Sequence, residues 1–146
     1  MLNYRDFVYA ALADYSAAQT ALVMIPEQIE TERLRRETLK AQKTDGDRIS
    51  GSGDRTEDAW LTSISRETYL ERRLDECKAV VASVTELLRN LEDDEREIVS
   101  RLILTRHRNG TAILAEEWGV DERTVFRAKD RTLKKIARML TGEARA

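Results

Sequence analysis

Thr111-Ala-Ile-Leu-Ala-Glu-Glu-Trp-Gly-Val-Asp-Glu-Arg-Thr-Val-Phe-Arg-Ala-Lys-Asp-Arg131 is the stretch that decides the fold. Leu114, Ala115 and Trp118 share one helical face at the three-four spacing. Gly119 then interrupts the pattern, and a glycine just past a helix suits a left-handed backbone turn. Val120 is expected to plug the corner, and Asp121 to cap the helix that follows. Val125 and Ala128 point back onto the first helix. Two helices that cross at so short a turn leave little room between them, a limit that the small side chain of Ala115 respects. Leu114, Ala115, Trp118, Gly119, Val120, Val125 and Ala128 are thus the expected frame of a helix-turn-helix (HTH).

The second helix of this pair carries a cationic outward face. At about 100° per residue, Arg123, Arg127, Asp130, Lys134 and Arg138 lie opposite Val125, Ala128, Thr132 and Ile136, with Arg131 at the edge. A charged helical face is ordinarily just solvated, but the charge distribution along the chain argues for more. Residues 101–146 hold 11 Lys and Arg against 6 Asp and Glu, a net of +5, while the first 100 residues carry −7 of the total −2. A basic end behind an acidic body suggests a polyanionic partner, and the small total charge argues against a non-specific coating protein. Double-stranded DNA is the expected partner, with the helix from Glu122 entering the major groove by its N-terminal half. Arg123 and Arg127 are the expected base readers, because a guanidinium pairs bidentately with guanine. Thr124 and Phe126 are placed to meet a thymine methyl or the neighbouring backbone. Lys129, Arg131 and Lys134 would neutralise phosphates, helped from the other flank by Arg106, Arg108 and Thr111.

Three phrases together resemble region 4 of sigma-70-type factors, a promoter-reading module: Glu95-Arg-Glu-Ile-Val99, Leu114-Ala-Glu-Glu-Trp-Gly-Val-Asp-Glu-Arg-Thr-Val-Phe-Arg127 and Leu133-Lys-Lys-Ile-Ala137. The chain is more similar to the sigma-region-4-like phage regulators of the RinA and ArpU kind. Those share a helical N-terminal part, a Gly-Ser-rich joint, a long middle helix and a terminal HTH. The order of parts matches the whole chain; residue similarity runs from Asp93 onward, with a weaker echo in Gly51-Ser-Gly-Asp54. The chain departs from sigma region 4 at Leu102–Gly110, which is longer, and at Phe126, where sigma factors often carry a basic residue. A target sequence therefore does not transfer. The resemblance implies a phage or prophage late-gene activator working near RNA polymerase in the cytoplasm of a bacterial host. Two alternatives stand beside it. One is a small-terminase-like DNA-packaging recognition subunit. The other is a coiled-coil adaptor that binds no DNA.

The remainder of the chain reads as an N-terminal helical segment (1–43), a flexible Gly/Ser/Asp linker (44–56), a long heptad helix (57–91) and the DNA-binding domain (92–146). A length of 146 residues suits one domain, or a small domain with a helical extension. Charged residues at 36% and aromatics at 5% fit long helices that lean on a partner. Tyr4, Val8, Ala11, Tyr15, Ala18, Leu22, Ile25 and Ile29 alternate spacings of four and three, a heptad seam. Pro26 should kink this helix without ending it, and beyond Ile29 the seam turns polar at Arg33 and Arg36. The linker has little to bury and should be the first site of proteolysis. Its Gly51-Ser-Gly53 lacks the Lys-Ser/Thr of a phosphate loop. Leu70, Leu74, Cys77, Val81, Val84, Leu88 and Leu91 form a second seam, widened by Val80 and Leu87. It needs a cover: the N-terminal helix folded back antiparallel, a second subunit, or both. A homodimer or higher oligomer through 57–91 is expected. Glu92-Asp-Asp-Glu95 sits where carboxylates favour a helix start.

Enzyme chemistry finds little support. His107, flanked by Arg106 and Arg108, is the single histidine, and Cys77 lies on the seam, where a thiol acts as a small hydrophobe. Glu116-Glu117 and Asp93-Asp94 point in different directions on a helix. No catalytic residue, cofactor or metal site is expected, and Tyr4, Tyr15 and Tyr69 need only seam or interface roles. No stretch reads as a membrane span, Met1-Leu-Asn-Tyr-Arg-Asp6 lacks the apolar core of a signal peptide, and one cysteine fits a reducing compartment. The expected fold is all-α: long coiled-coil-like helices followed by a C-terminal sigma-region-4-like HTH.

Overall fold

The computed structural model describes residues 3–45 and 52–142, with side chains over 3–42 and 55–142. Every element among them is helical: α1 (Tyr4–Asp45), α2 (Ser52–Arg89), α3 (Asp93–Ile98) continued by a π-helical turn (Val99–Leu104), α4 (Gly110–Trp118) and α5 (Glu122–Thr141). The chain divides into two compact units, Ala18–Ala79 on the one hand and Met1–Ala17 with Val80–Ala146 on the other.

The unit Ala18–Ala79 is a pair of antiparallel helical segments. Arg33 of α1 reaches Glu71 of α2, whereas Arg36, one turn later, reaches back to Ser63, the order that opposite chain directions require. Ile25, Ile29 and Cys77 are buried here. Where the α1 seam was expected to turn polar, it does so through a buried layer. The Ser63 hydroxyl, only 1% exposed, donates to the Glu32 carboxylate at 2.8 Å. Arg36 and Arg33 donate to Glu67 at 2.7 and 3.0 Å, and the Arg36 guanidinium, ahead of Arg33, holds the Glu67 carboxyl below its ordinary range. Buried polar groups are costly when unpaired. A slip of the two helices would strand Glu32, so this layer favours one register.

The other unit has one apolar core drawn from every helix. Val8, Leu12 and Tyr15 of α1 and Val84 and Leu87 of α2 join Leu91, Ile98, Leu102, Leu114, Val125, Leu133 and Ile136. Between α2 and α3 the chain turns at Leu91–Glu92, and the acidic cluster does the work of a helix start. The Glu92 N–H donates to Glu95 Oε1 at 2.8 Å, satisfying an otherwise orphaned donor. Arg96 donates to the Leu91 carbonyl at 2.7 Å. The π-helical turn is closed by the Thr105 N–H and hydroxyl, which both donate to the Ser100 carbonyl, at 3.1 and 2.8 Å.

Of the covers considered for the seam, the folded-back N-terminal helix is present; it leaves Leu70, Leu74, Val81 and Leu88 half-buried and Cys77, Val84 and Leu91 buried. Three expectations are revised. Val80, expected to widen that stripe, is exposed, whereas Leu87 is buried. The expected linker 44–56 is entered by helix from both sides, through Asp45 and from Ser52; residues 46–51, with Gly46 and Gly51, lie outside the described residues. Finally, an 18-residue stretch of α1 reaches a mean hydropathy of 1.2 and meets the length and composition of a membrane span, where none was expected. Of that stretch 28% is buried, and α1 as a whole packs Val8, Leu12, Tyr15, Ile25 and Ile29 inward. Pro26 leaves α1 unbroken.

Candidate nucleic-acid interface

α4 and α5 meet at Gly119-Val120-Asp121. Gly119 takes the left-handed conformation, φ 65° and ψ 35°, and the corner closes through backbone bonds from the Val120 N–H to the Ala115 carbonyl (3.0 Å) and from the Gly119 N–H to the Glu116 carbonyl (3.2 Å). A Cβ added at Gly119 would meet no atom within 4 Å, so the cost of a side chain here is conformational alone. Gly119→Ala should therefore destabilise the protein by roughly 1–2 kcal/mol in a urea titration. A neutral result would mean that the left-handed turn is not needed.

Leu114, Ala115, Val125 and Ala128 are all buried, as the sequence implied, and Trp118 packs half-buried against the same core. Two corner residues behave differently from expectation. Val120 is 39% exposed and lies at the edge of the corner, not inside it, while Leu114 and Val125 are fully buried. Asp121 occupies the N-cap position with extended backbone, yet its carboxylate makes no capping hydrogen bond. Its main-chain carbonyl starts the helix instead, accepting from the Thr124 N–H at 3.0 Å.

α5 turns Val125, Ala128, Thr132, Leu133 and Ile136 inward. Arg123, Thr124, Phe126, Arg127, Arg131, Lys134 and Arg138 are exposed on its other sides, while Lys129 is half-buried. Among the described residues, no ion pair engages the side chains of Arg123, Arg127, Arg131 or Arg138. Other cations are committed to the frame: Lys135 pairs with Glu95 of α3 at 2.8 Å, and Arg101 pairs with Glu97 at 2.7 Å and also with Glu117 of α4. Burial works against the Glu95 charge, but Lys135 and the Glu92 N–H outweigh it and hold its carboxyl below the ordinary range.

Sequence reasoning missed the residues that border this face. Asp130 is the one carboxylate within the cationic stripe. The Tyr4 hydroxyl donates to it, Arg5 reaches it at 2.9 Å, and Lys134 lies 3.2 Å away. Tyr4 therefore has a role beyond the seam. Tyr9 likewise sits beneath two cations, Arg106 at 4.8 Å and Lys129 at 5.7 Å from the ring centre. Arg106 adopts φ 49°, the left-handed region that favours glycine. Arg108 and His107 are exposed, and Thr111 is half-buried in the first turn of α4. Phe126 is 55% exposed and shares a groove of about 200 Å³ with Arg5, Tyr9, Lys129 and Leu133. It thus stands on the flank toward α1 rather than at the centre of the open arc. The linkage of Tyr4 and Arg5 to Asp130 carried no periodic signal, because the partners are more than a hundred residues apart in sequence.

Hydrogen bonds from Tyr4, then Arg5 and Lys134, lower the Asp130 carboxyl to about 2 from an ordinary 3.8. A depressed folded-state pKa stabilises the fold above the unfolded value, and the contribution is lost as pH falls through the folded one. This contact should therefore hold at neutral pH and decay between about 3.8 and about 2. A carboxyl titration followed by NMR should place the Asp130 midpoint near the lower figure; a midpoint at 3.8 would mean that the three partners do not hold it in solution.

Cys77 is buried in the Ala18–Ala79 unit, and among the described residues no group of three or more His, Cys, Asp or Glu is placed to hold a metal ion. No family model, curated protein or solved structure matches the chain.

Proposed function

We propose that this protein binds duplex DNA sequence-specifically and regulates transcription, with α4 and α5 acting as an HTH and α5 as its reading helix. One observation carries this reading. α5 is held rigidly by Val125, Ala128, Thr132 and Ile136, and it presents Arg123, Arg127, Arg131 and Arg138 to solvent without an ion pair among the described residues, while its single central carboxylate is neutralised. Exposed arginines on a packed helix match the two demands of the DNA surface, bidentate recognition of guanine edges and neutralisation of phosphates. Arg123 and Arg127, nearest the helix start, are the base readers. Lys129, Arg131 and Lys134 are phosphate contacts, with Arg106, Arg108 and Thr111 approaching from the second flank. The likeness of Glu95–Val99, Leu114–Arg127 and Leu133–Ala137 to sigma region 4 supports a phage-type regulator acting beside RNA polymerase.

Selection of bound sequences from random duplex DNA tests the proposal. Enrichment of a single motif, bound far more tightly than its scrambled version, is the expected outcome. Retention of every sequence alike would remove the base-reading role, and no retention at low salt would remove DNA binding itself, leaving the coiled-coil adaptor as the surviving alternative.

A further inference from the structure

The N-terminal turns of α1 are not needed to complete an HTH, yet they border α5. Within the unit that holds both, Tyr4, Arg5 and Tyr9 line one side of α5 next to Phe126, Asp130 and Lys134. This places Arg5 on the rim of the open cationic arc. Its side chain remains 54% exposed while one guanidinium nitrogen is tied to Asp130. Its Nε also donates to the Tyr4 hydroxyl at 3.3 Å; a guanidinium carries five N–H donors, so these two ties fix its direction and leave donors for another acceptor. The charge balance also favours an incoming anion. Asp130 is one negative charge between two cations, Arg5 and Lys134, and Lys129 and Arg106 stand over the Tyr9 ring close by.

We propose that Arg5 is a DNA-backbone contact supplied from outside the HTH, held in place by the Asp130 carboxylate and the Tyr4 hydroxyl. This rests on the DNA-binding reading above. It gives Asp130 a positioning role: a carboxylate that would repel phosphate if bare is spent on orienting the cation that attracts it. Arg5 then widens the footprint of α5 by one backbone contact, on the flank opposite to the one that Arg138 and Arg131 face. The helical positions support this division. Taking Val125 as the inward direction at about 100° per residue, Phe126 and Asp130 fall on one side of the outward centre, and Arg131 and Arg138 fall on the other.

The test uses the full chain, a random-sequence duplex as probe and the dependence of affinity on salt. Each phosphate contact contributes a slope of about 0.9 in log K against log salt. Arg5→Ala should lower the slope by about that amount, so that the loss of affinity between 50 and 200 mM salt shrinks about 3.5-fold. Arg5→Lys, which keeps the charge, should leave the slope close to that of the unaltered protein. Circular dichroism of each variant separates loss of a contact from loss of fold. An unchanged slope in folded Arg5→Ala overturns the inference while the DNA-binding reading stands. Tighter binding by that variant also overturns it, since α1 would then be shielding α5. If the unaltered chain shows no salt-dependent binding, the DNA-binding reading itself fails, and it fails before Arg5 is reached.

Discussion

Leu114→Ala should lower the unfolding free energy by about 2–5 kcal/mol, the range for a fully buried leucine whose neighbours close in only partly. Leu114 is 0% exposed and belongs to the cluster that also holds Ala115, Val125, Leu133 and Ile136. It comes from the helix that precedes the corner, and Val125 comes from the one that follows. Removing its side chain opens a void where the two helices meet, and the short turn at Gly119 limits how far they can collapse into it. The neighbouring residue supplies the control: Ile113 is on the same helix but exposed, so Ile113→Ala should stay within about 0.5 kcal/mol. Urea denaturation with an unchanged m value measures both. Equal effects of the two changes would mean that α4 does not pack as described. The loss at Leu114 also bears on function. A few kcal/mol is a large share of the stability of a small domain, so Leu114→Ala should weaken DNA binding through the folded population and leave base preference intact.

What the sequence disclosed, and what it withheld, follows from the range of the interactions involved. The all-helical class, the end of α4, the start of α5 and the left-handed turn at Gly119 were legible because each depends on residues within a turn or two of one another. The period of Leu114, Ala115, Val125 and Ala128 names the inward face directly. The π-helical turn at Val99–Leu104 was not legible, since its closure by Thr105 depends on one extra residue in a hydrogen-bonded ring and leaves the apolar pattern almost unchanged. The seam Leu70–Leu91 was found, but its cover was left open, because a heptad stripe is the same whether its partner belongs to the chain or to another copy. Burial of Cys77 and Val84 shows that the chain itself supplies part of that cover. The polar layer of Glu32, Ser63, Arg36 and Glu67 was seen only as a loss of apolar character beyond Ile29. Each of its members looks like a solvated surface residue until its partner across the helix pair is known. The candidate site divides the same way. Its arginines follow from the helical period of α5, whereas Tyr4, Arg5 and Tyr9 come from the far end of the chain, where no local rule assigns them to α5.

Base reading and phosphate binding should separate at Arg127 and Lys134. Arg127 lies in the second turn of α5, exposed, with no ion pair among the described residues and directed away from buried Val125 and Ala128. That is the part of a reading helix that faces the floor of the major groove. Lys134 lies about two turns further on, where a straight helix leaves the curved groove and meets the backbone, and it already leans on Asp130 at 3.2 Å. Arg127→Ala should cost about 1–3 kcal/mol on the preferred site and relax discrimination at one base pair. Lys134→Ala should weaken preferred and random sequences nearly alike and lower the salt slope by roughly one. The Asp130 interaction does not cancel this effect, because Arg5 and Tyr4 keep that carboxylate occupied when Lys134 is gone. Competition binding of each variant to the selected motif and to a scrambled duplex, over a range of salt, distinguishes the two behaviours. If both substitutions reduce affinity for every sequence by the same factor, α5 grips the backbone without reading bases, and regulation at a defined promoter gives way to sequence-independent attachment to DNA.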